Sequence, residues 1–199
     1  MSIGSFARFD RRYALLLFAL GIWMWIGYSI ASHTAKKIIK TTIIQSSKPI
    51  RHIDDPLKLK KKEILWIDTL NFPKGNELRH PKYGYLGYQR NFVAYFDTDI
   101  EVPKDVYVDF IIYSDDGFRL TLDSKKIMEY PKDRPFQKSE KIVKLTRGKH
   151  HLRIKYFQGY GQLGIVGYYG LGSTPSDAKR SKKHYIGEDS WGMEFVEHP

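Results

Sequence analysis

No cysteine occurs anywhere in the 199 residues. That excludes disulfide bracing, thiol catalysis and cysteine-based zinc sites together. The chain also contains no nucleophile elbow, no His-Glu-x-x-His motif and no Walker phosphate loop. Gly159-Tyr160-Gly161-Gln162-Leu163-Gly164 fits the spacing G-x-G-x-x-G, but Ile165-Val166-Gly167-Tyr168-Tyr169-Gly170 follows it. A dinucleotide fingerprint must open a helix whose N-terminus meets the pyrophosphate, and this continuation is glycine-broken and β-prone. Asp109 and Glu129 have no spacing that makes them a catalytic dyad. The chain therefore reads as no enzyme. Asparagine is scarce: Asn71, Asn76 and Asn91 are the whole supply, all in the first half.

Negative charge is missing from one region only. Residues 1–62 hold 12 Lys/Arg against 3 Asp/Glu, a net of +9, whereas residues 63–199 hold 21 against 19, a net of +2. Nucleic-acid binding wants a basic face on the folded domain, and the balanced C-terminal part offers none. A basic arm suits anionic lipid headgroups better, at about 1 kcal/mol per base near the surface.

Tyr13 to Ala31 is an uncharged run of 19 residues. As a helix it extends roughly 28 Å, close to a bilayer core. Trp23, Trp25 and Tyr28 near one end suit the interfacial aromatic belt and are the expected membrane anchors. A cleaved signal peptide is the competing reading, but its apolar core is normally shorter. Flanking charge does not orient the span, with Arg8, Arg11 and Arg12 before it and Lys36, Lys37, Lys40 and Lys48 after it. The expected organisation is a cytoplasmic leader over 1–12, a transmembrane helix over 13–32, a basic juxtamembrane arm over 33–62 and a β domain over 63–199.

Within the arm, Ile38-Ile39 and Ile43-Ile44 recur five residues apart, which fits neither strand alternation nor a helical stripe. Beyond it, period-two alternation dominates and argues for strands with one buried face. Val106, Val108, Phe110 and Ile112 alternate with Tyr107, Asp109, Ile111 and Tyr113; after Asp116-Gly117, Phe118, Leu120 and Leu122 alternate with Arg119, Thr121 and Asp123. Asp-Gly between two such runs predicts a hairpin. Further strands are expected over 63–70, 91–96, 127–130, 141–145, 150–158, 163–170 and 191–196, with loops over 71–90 and 172–183. This amounts to an antiparallel all-β domain.

Ser114, Asp115, Asp116, Gly117, Leu120 and Asp123, followed by Leu145, Gly148, His150, Ile154, Tyr156, Phe157, Gly159 and Gly161, form a pattern. It resembles the domain first delimited in the anthrax toxin protective antigen, shared by yeast flocculins and inserted in some glycosidases. The resemblance implies an antiparallel β-sandwich, an extracytoplasmic setting, and lectin activity in the ligand-binding members. In flocculin-like lectins, adjacent aspartates joined by a cis peptide hold a calcium ion that binds sugar hydroxyls. Asp115 and Asp116 are the matching candidates for metal ligands, and two neighbouring carboxylates do supply the hard oxygens that calcium takes. The plainer alternative is that Asp and Gly are turn formers. The lectins add an asparagine from a late loop, where this chain offers only Ser173, Thr174, Ser176 and Asp177.

Tyr83, Tyr85, Tyr88, Tyr160 and Asp177 are the remaining ligand-binding candidates, because aromatic faces stack on sugar rings and also anchor protein interfaces. His150 and His151 are adjacent strand residues, which point to opposite faces, and read as satisfied structural histidines. The expectation is a single-pass envelope protein of the inner membrane whose β domain faces the periplasm or exterior. There it binds or scaffolds other envelope proteins, or binds glycans with the aid of calcium.

Overall fold

The computed structural model describes residues 11–33 and 36–198. They fall into two compact units, one ending at Thr34 and one running from Ala35. The first contains α1 (Arg11–His33), 23 residues long. Its described side chains, Tyr13 to Gly27, are all exposed. Trp23 and Trp25 are among them; the side chain of Tyr28 and the leader over 1–10 lie outside the described residues. Among the described residues no helix is long and apolar enough to cross a membrane, so the expected transmembrane helix is not met there.

The second unit is a β-sandwich. Its strands are β1 (Ile39–Ser46), β2 (Leu59–Ile67), β3 (Asn71–Gly75), β4 (Arg79–His80), β5 (Gly84–Tyr85), β6 (Phe92–Val102), β7 (Val106–Asp115), β8 (Phe118–Leu122), β9 (Lys125–Tyr130), β10 (Gln137–Leu145), β11 (Gly148–Gln158), β12 (Leu163–Gly172), β13 (His184–Tyr185) and β14 (Glu194–Phe195). A short helix, α2 (Pro175–Arg180), lies between β12 and β13. The larger sheet runs β2-β1-β6-β11-β8-β9, with β14 also on β6. The smaller runs β10-β7-β12-β13, with β3 also on β12. All these pairs are antiparallel.

The core is the alternating set the sequence marks. Phe96, Ile154 and Leu120 from the larger sheet meet Val108, Phe110 and Ile165 from the smaller, all essentially without solvent contact.

Several expectations are corrected here. The arm over 33–62 is not a linker: β1 pairs with β2 on one side and β6 on the other, Ile43 facing Ala94. Ile39, Thr41 and Ile43 point into the core. Of the isoleucine doublets, Ile38 is buried just ahead of β1 and Ile44 is half-buried on its other side; elsewhere on the outer face residues 50–57 fold back and bury Ile50 and Ile53 against Val93 and Phe157. The lysine run belongs to β2, an edge strand. Its exposed lysines guard the open edge against pairing with another chain.

The Asp116-Gly117 turn is not a hairpin either. β7 pairs only with β10 and β12, and β8 only with β9 and β11. The chain crosses there from one sheet to the other. Gly117 is required by close approach: a Cβ would lie 2.5 Å from the Phe157 ring. The region over 71–90 holds β3, β4 and β5. The loop over 172–183 contains α2, announced by Thr174 as N-cap, Pro175 in the first turn and Asp177. The closing strand shrinks to Glu194–Phe195 on β6.

Candidate functional site

The Asp115–Asp116 peptide bond is cis. It sits where β7 ends and the chain passes between sheets, an enclosed place in contrast to an exposed hairpin tip. Asp115 is 8% and Asp116 5% exposed. Gly159 and Ile50 form part of the enclosure. The Gly159 N–H donates to Asp116 Oδ2 at 2.8 Å, and a Cβ on Gly159 would stand 2.5 Å from the Ile50 carbonyl. Ser114 Oγ donates to the Asp116 carbonyl at 2.7 Å, and Tyr156, fully buried, donates its hydroxyl to the Asp115 carbonyl.

Burial pushes Asp116 up to about 6; the Gly159 and Arg134 amides oppose the shift, and Asp133 and Asp115 add to it. Burial raises Asp115 too, against the Phe136 amide and the charges of Lys74 and Arg134. Arg134 is itself buried at this turn. It donates to Ser114 Oγ (2.7 Å from Nη2) and Ser139 Oγ (2.9 Å from Nη1), between the rings of Phe118 and Tyr130.

This donor set does not fit a calcium ion. Calcium takes six to eight oxygens. Here both carboxylates already accept amide hydrogens, and among the described residues no third His, Cys, Asp or Glu joins them in a metal-binding group. The late loop cannot help. Gly172, just before α2, pairs with Tyr107, while Asp115 pairs with Gly164 at the other end of the same strand. Eight strand residues separate the two ends by about 26 Å. Asp177 is committed to α2, where its amide and carboxylate meet Thr174 Oγ1. The positive charge beside Asp115 comes from Lys74 and Arg134.

The tyrosine candidates separate. Tyr88 is fully buried and donates to Glu63 Oε2 at 2.6 Å, so it is a core residue. Tyr83 is half-buried and stacks on His80, ring centroids 4.6 Å apart. Tyr85 is exposed on β5, away from the acidic turn's partners. Tyr160 is 79% exposed and follows directly on the Gly159 that Asp116 holds. It borders a depression of about 360 Å³ with Gln162, Gly161, Asn76, Gln89 and Arg90. Sequence reasoning named Tyr160 but missed Gln162 beside it, and missed Asn76, Gln89 and Arg90 because they come from the distant 76–90 stretch. His150 bonds Asp123 (2.6 Å) and His151 bonds Asp99 (2.7 Å), so each is satisfied.

A family model described as the PA14 domain matches residues 82–183. The chain belongs to the PA14 domain family. No curated protein gives a significant match. Solved structures share the fold. The PA14 domain of the MpAFP antifreeze protein aligns with a TM-score of 0.56 at 10% identity, over 71% of this chain and 86% of that one. The PA14 sugar-binding domain from an RTX adhesin gives 0.56 at 10%, over 76% and 95%. The Epithelial Adhesin 9 A domain from Candida glabrata, in complex with Galb1-4GlcNAc, gives 0.54 at 9%, over 78% and 88%. At these identities the likeness speaks for the fold. For this PA14 domain the match starts at residue 82, so β1 and β2 lie outside the family's matched span while being built into the larger sheet.

Proposed function

We propose that the chain is a non-catalytic glycan-binding module of the PA14 type, held at a membrane by its N-terminal apolar helix and working outside the cytoplasm. The observation that carries the reading is the placement of Tyr160. An aromatic face stands open to solvent, fixed through Gly159 by the Asp116 carboxylate, beside two glutamines, an asparagine and an arginine. A sugar needs one flat apolar surface for its C–H face and planar amide or guanidinium groups for its hydroxyls, and this depression supplies both. Two of the fold's relatives support the class: one is described as sugar-binding, and the other holds a disaccharide. The reading calls on no metal, since Asp115 and Asp116 are buried and each accepts an amide hydrogen.

The membrane part rests on the run of exposed apolar side chains along α1, from Tyr13 to Trp25. An alternative job, scaffolding of other envelope proteins, would use the exposed Trp191 or the 79–85 hairpin. A glycan array probed with the full chain and with Tyr160→Ala separates the two. The expected outcome is binding that falls about tenfold on loss of the ring. No glycan bound by the unaltered chain overturns the reading and favours scaffolding.

A further inference from the structure

The two outer faces of the sandwich differ in kind. On the larger sheet residues 50–57 cover Val93 and Phe157, and beyond that cover lie paired charges, as Arg119 with Asp54 and Glu129, Lys155 with Asp54, and Arg153 with Asp97. On the smaller sheet the outward positions of β7 and β12 include Ile111, Tyr113, Val166 and Tyr168, with Tyr107 and the buried Asp109 further along β7. An antiparallel sheet with a solvated face normally carries polar residues there. Here four aromatic rings cross the face in a row instead: Phe136 stacks on Tyr113 (5.8 Å between centroids), Tyr113 meets Tyr168 edge-on (6.2 Å), and Tyr168 lies against Tyr185 (4.6 Å). All four are only partly covered and line a groove of about 480 Å³, within the usual range for ligand sites.

The charged side chains lining this groove are basic, Lys74 and Lys183, and the Glu188 carboxylate stands at its edge on the Tyr185 amide. Lys183 is answered by Asp109 at 2.8 Å and by the carbonyls of Ala178 and Lys179. Lys74 is exposed and forms no ion pair within 4.0 Å among the described residues; its field reaches Asp115, which is buried. A strip of aromatic faces ending on an exposed ammonium fits a ligand made of successive flat C–H faces that also bears carboxylates.

We propose that the outer face of the smaller sheet is a second binding site, a groove for an acidic polysaccharide chain whose uronate rings stack on Tyr113, Tyr168 and Tyr185 and whose carboxylate meets Lys74. The ligand class follows from the glycan-binding reading above, while the site is distinct from the Tyr160 depression. The two flank the same strand end, Lys74 on β3 in one and Asn76 just beyond it in the other.

The test is calorimetric titration of the full chain with hexagalacturonate, and with cellohexaose as the neutral counterpart. Hexagalacturonate is expected to bind, and Tyr168→Ala to weaken it about tenfold, the worth of one stacked ring. Tyr168→Phe should retain affinity, which controls for folding together with an unchanged melting temperature. Lys74→Gln should cost about threefold for hexagalacturonate and nothing for cellohexaose, and Tyr160→Ala should leave hexagalacturonate binding as it was. Equal affinity for both oligomers overturns the proposal, as does hexagalacturonate binding indifferent to Tyr168→Ala. Failure to bind hexagalacturonate while the array still reports Tyr160-dependent binding removes the groove and leaves the module's function standing. Self-association of the chain that Tyr168→Ala abolishes would make the face a protein interface and overturn the proposal equally.

Discussion

At Asp116 a carboxylate stands where water can barely reach it, and burial lifts it to about 6. A carboxyl group with a folded pKa above its unfolded value binds its proton more tightly in the folded state. Its contribution to stability is fully present below about 4 and disappears as pH rises through about 6. The difference in unfolding free energy between the unaltered chain and Asp116→Asn should therefore fall by up to about 3 kcal/mol from pH 4 to pH 7. Urea denaturation across that range measures it, and acids that titrate the other way, such as Asp54 beside Arg119, cancel in the comparison. A flat difference would mean that Asp116 is better solvated than its 5% exposure indicates. Calcium gives a second residue-scale test. A folded-state site of about 10 μM affinity would stabilise the chain by roughly 2.7 kcal/mol at about 1 mM calcium. With Arg134 beside the turn and amides on both carboxylates, the melting temperature should be the same in calcium and in chelator.

Among the elements, β1 is the one whose removal does most damage. It joins β2 to the larger sheet and covers one side of β6. A chain beginning at residue 63, where regular alternation starts, would leave the long β6 edge open and lose Ile39 and Ile43 from the core. That fragment should aggregate or lack a cooperative melt, whereas 36–199 should unfold cooperatively; circular dichroism of the two decides it. The helix α2 offers a milder test. Ala178 is packed without solvent contact over Gly170 and Gly172, which have no room for a Cβ. Thr174 caps the helix by accepting from the Asp177 amide. Thr174→Ala should cost about 1 kcal/mol in a urea titration and Thr174→Ser much less.

For the whole molecule, the division at residues 34 and 35 separates an exposed apolar helix from a closed sandwich. Deleting residues 1–33 should move the protein from the membrane fraction to the soluble fraction while leaving its glycan-array profile unchanged. Retention in the membrane fraction would instead place the attachment on the sandwich. The two outer faces add a second whole-molecule asymmetry. One carries the 50–57 cover and a set of paired charges, and the other an aromatic groove edged by the exposed Lys74.

Local and periodic information was enough for much of this protein. The all-β class, most strand positions and the core-facing side of β7, β8 and β11 follow from alternation, since a strand with one buried face must repeat every two residues. The PA14 motif around Asp115 and Asp116, and the rejection of the glycine-rich stretch as a nucleotide loop, were likewise legible. So was α2, in Thr174-Pro175 and Asp177, although its loop reading passed over that signal. Only the tertiary structure decided which strands are neighbours. Asp-Gly marks a reversal but carries nothing about which sheet the next strand joins, and here the chain changes sheets. The isoleucine doublets hid β1, because Ile38 just ahead of the strand and the half-buried Ile44 on its other side blur the period that reveals it. The groove's four rings and the polar set around Tyr160 come from segments dozens of residues apart. Their meeting is a property of strand order and register, which long-range packing sets and local sequence does not.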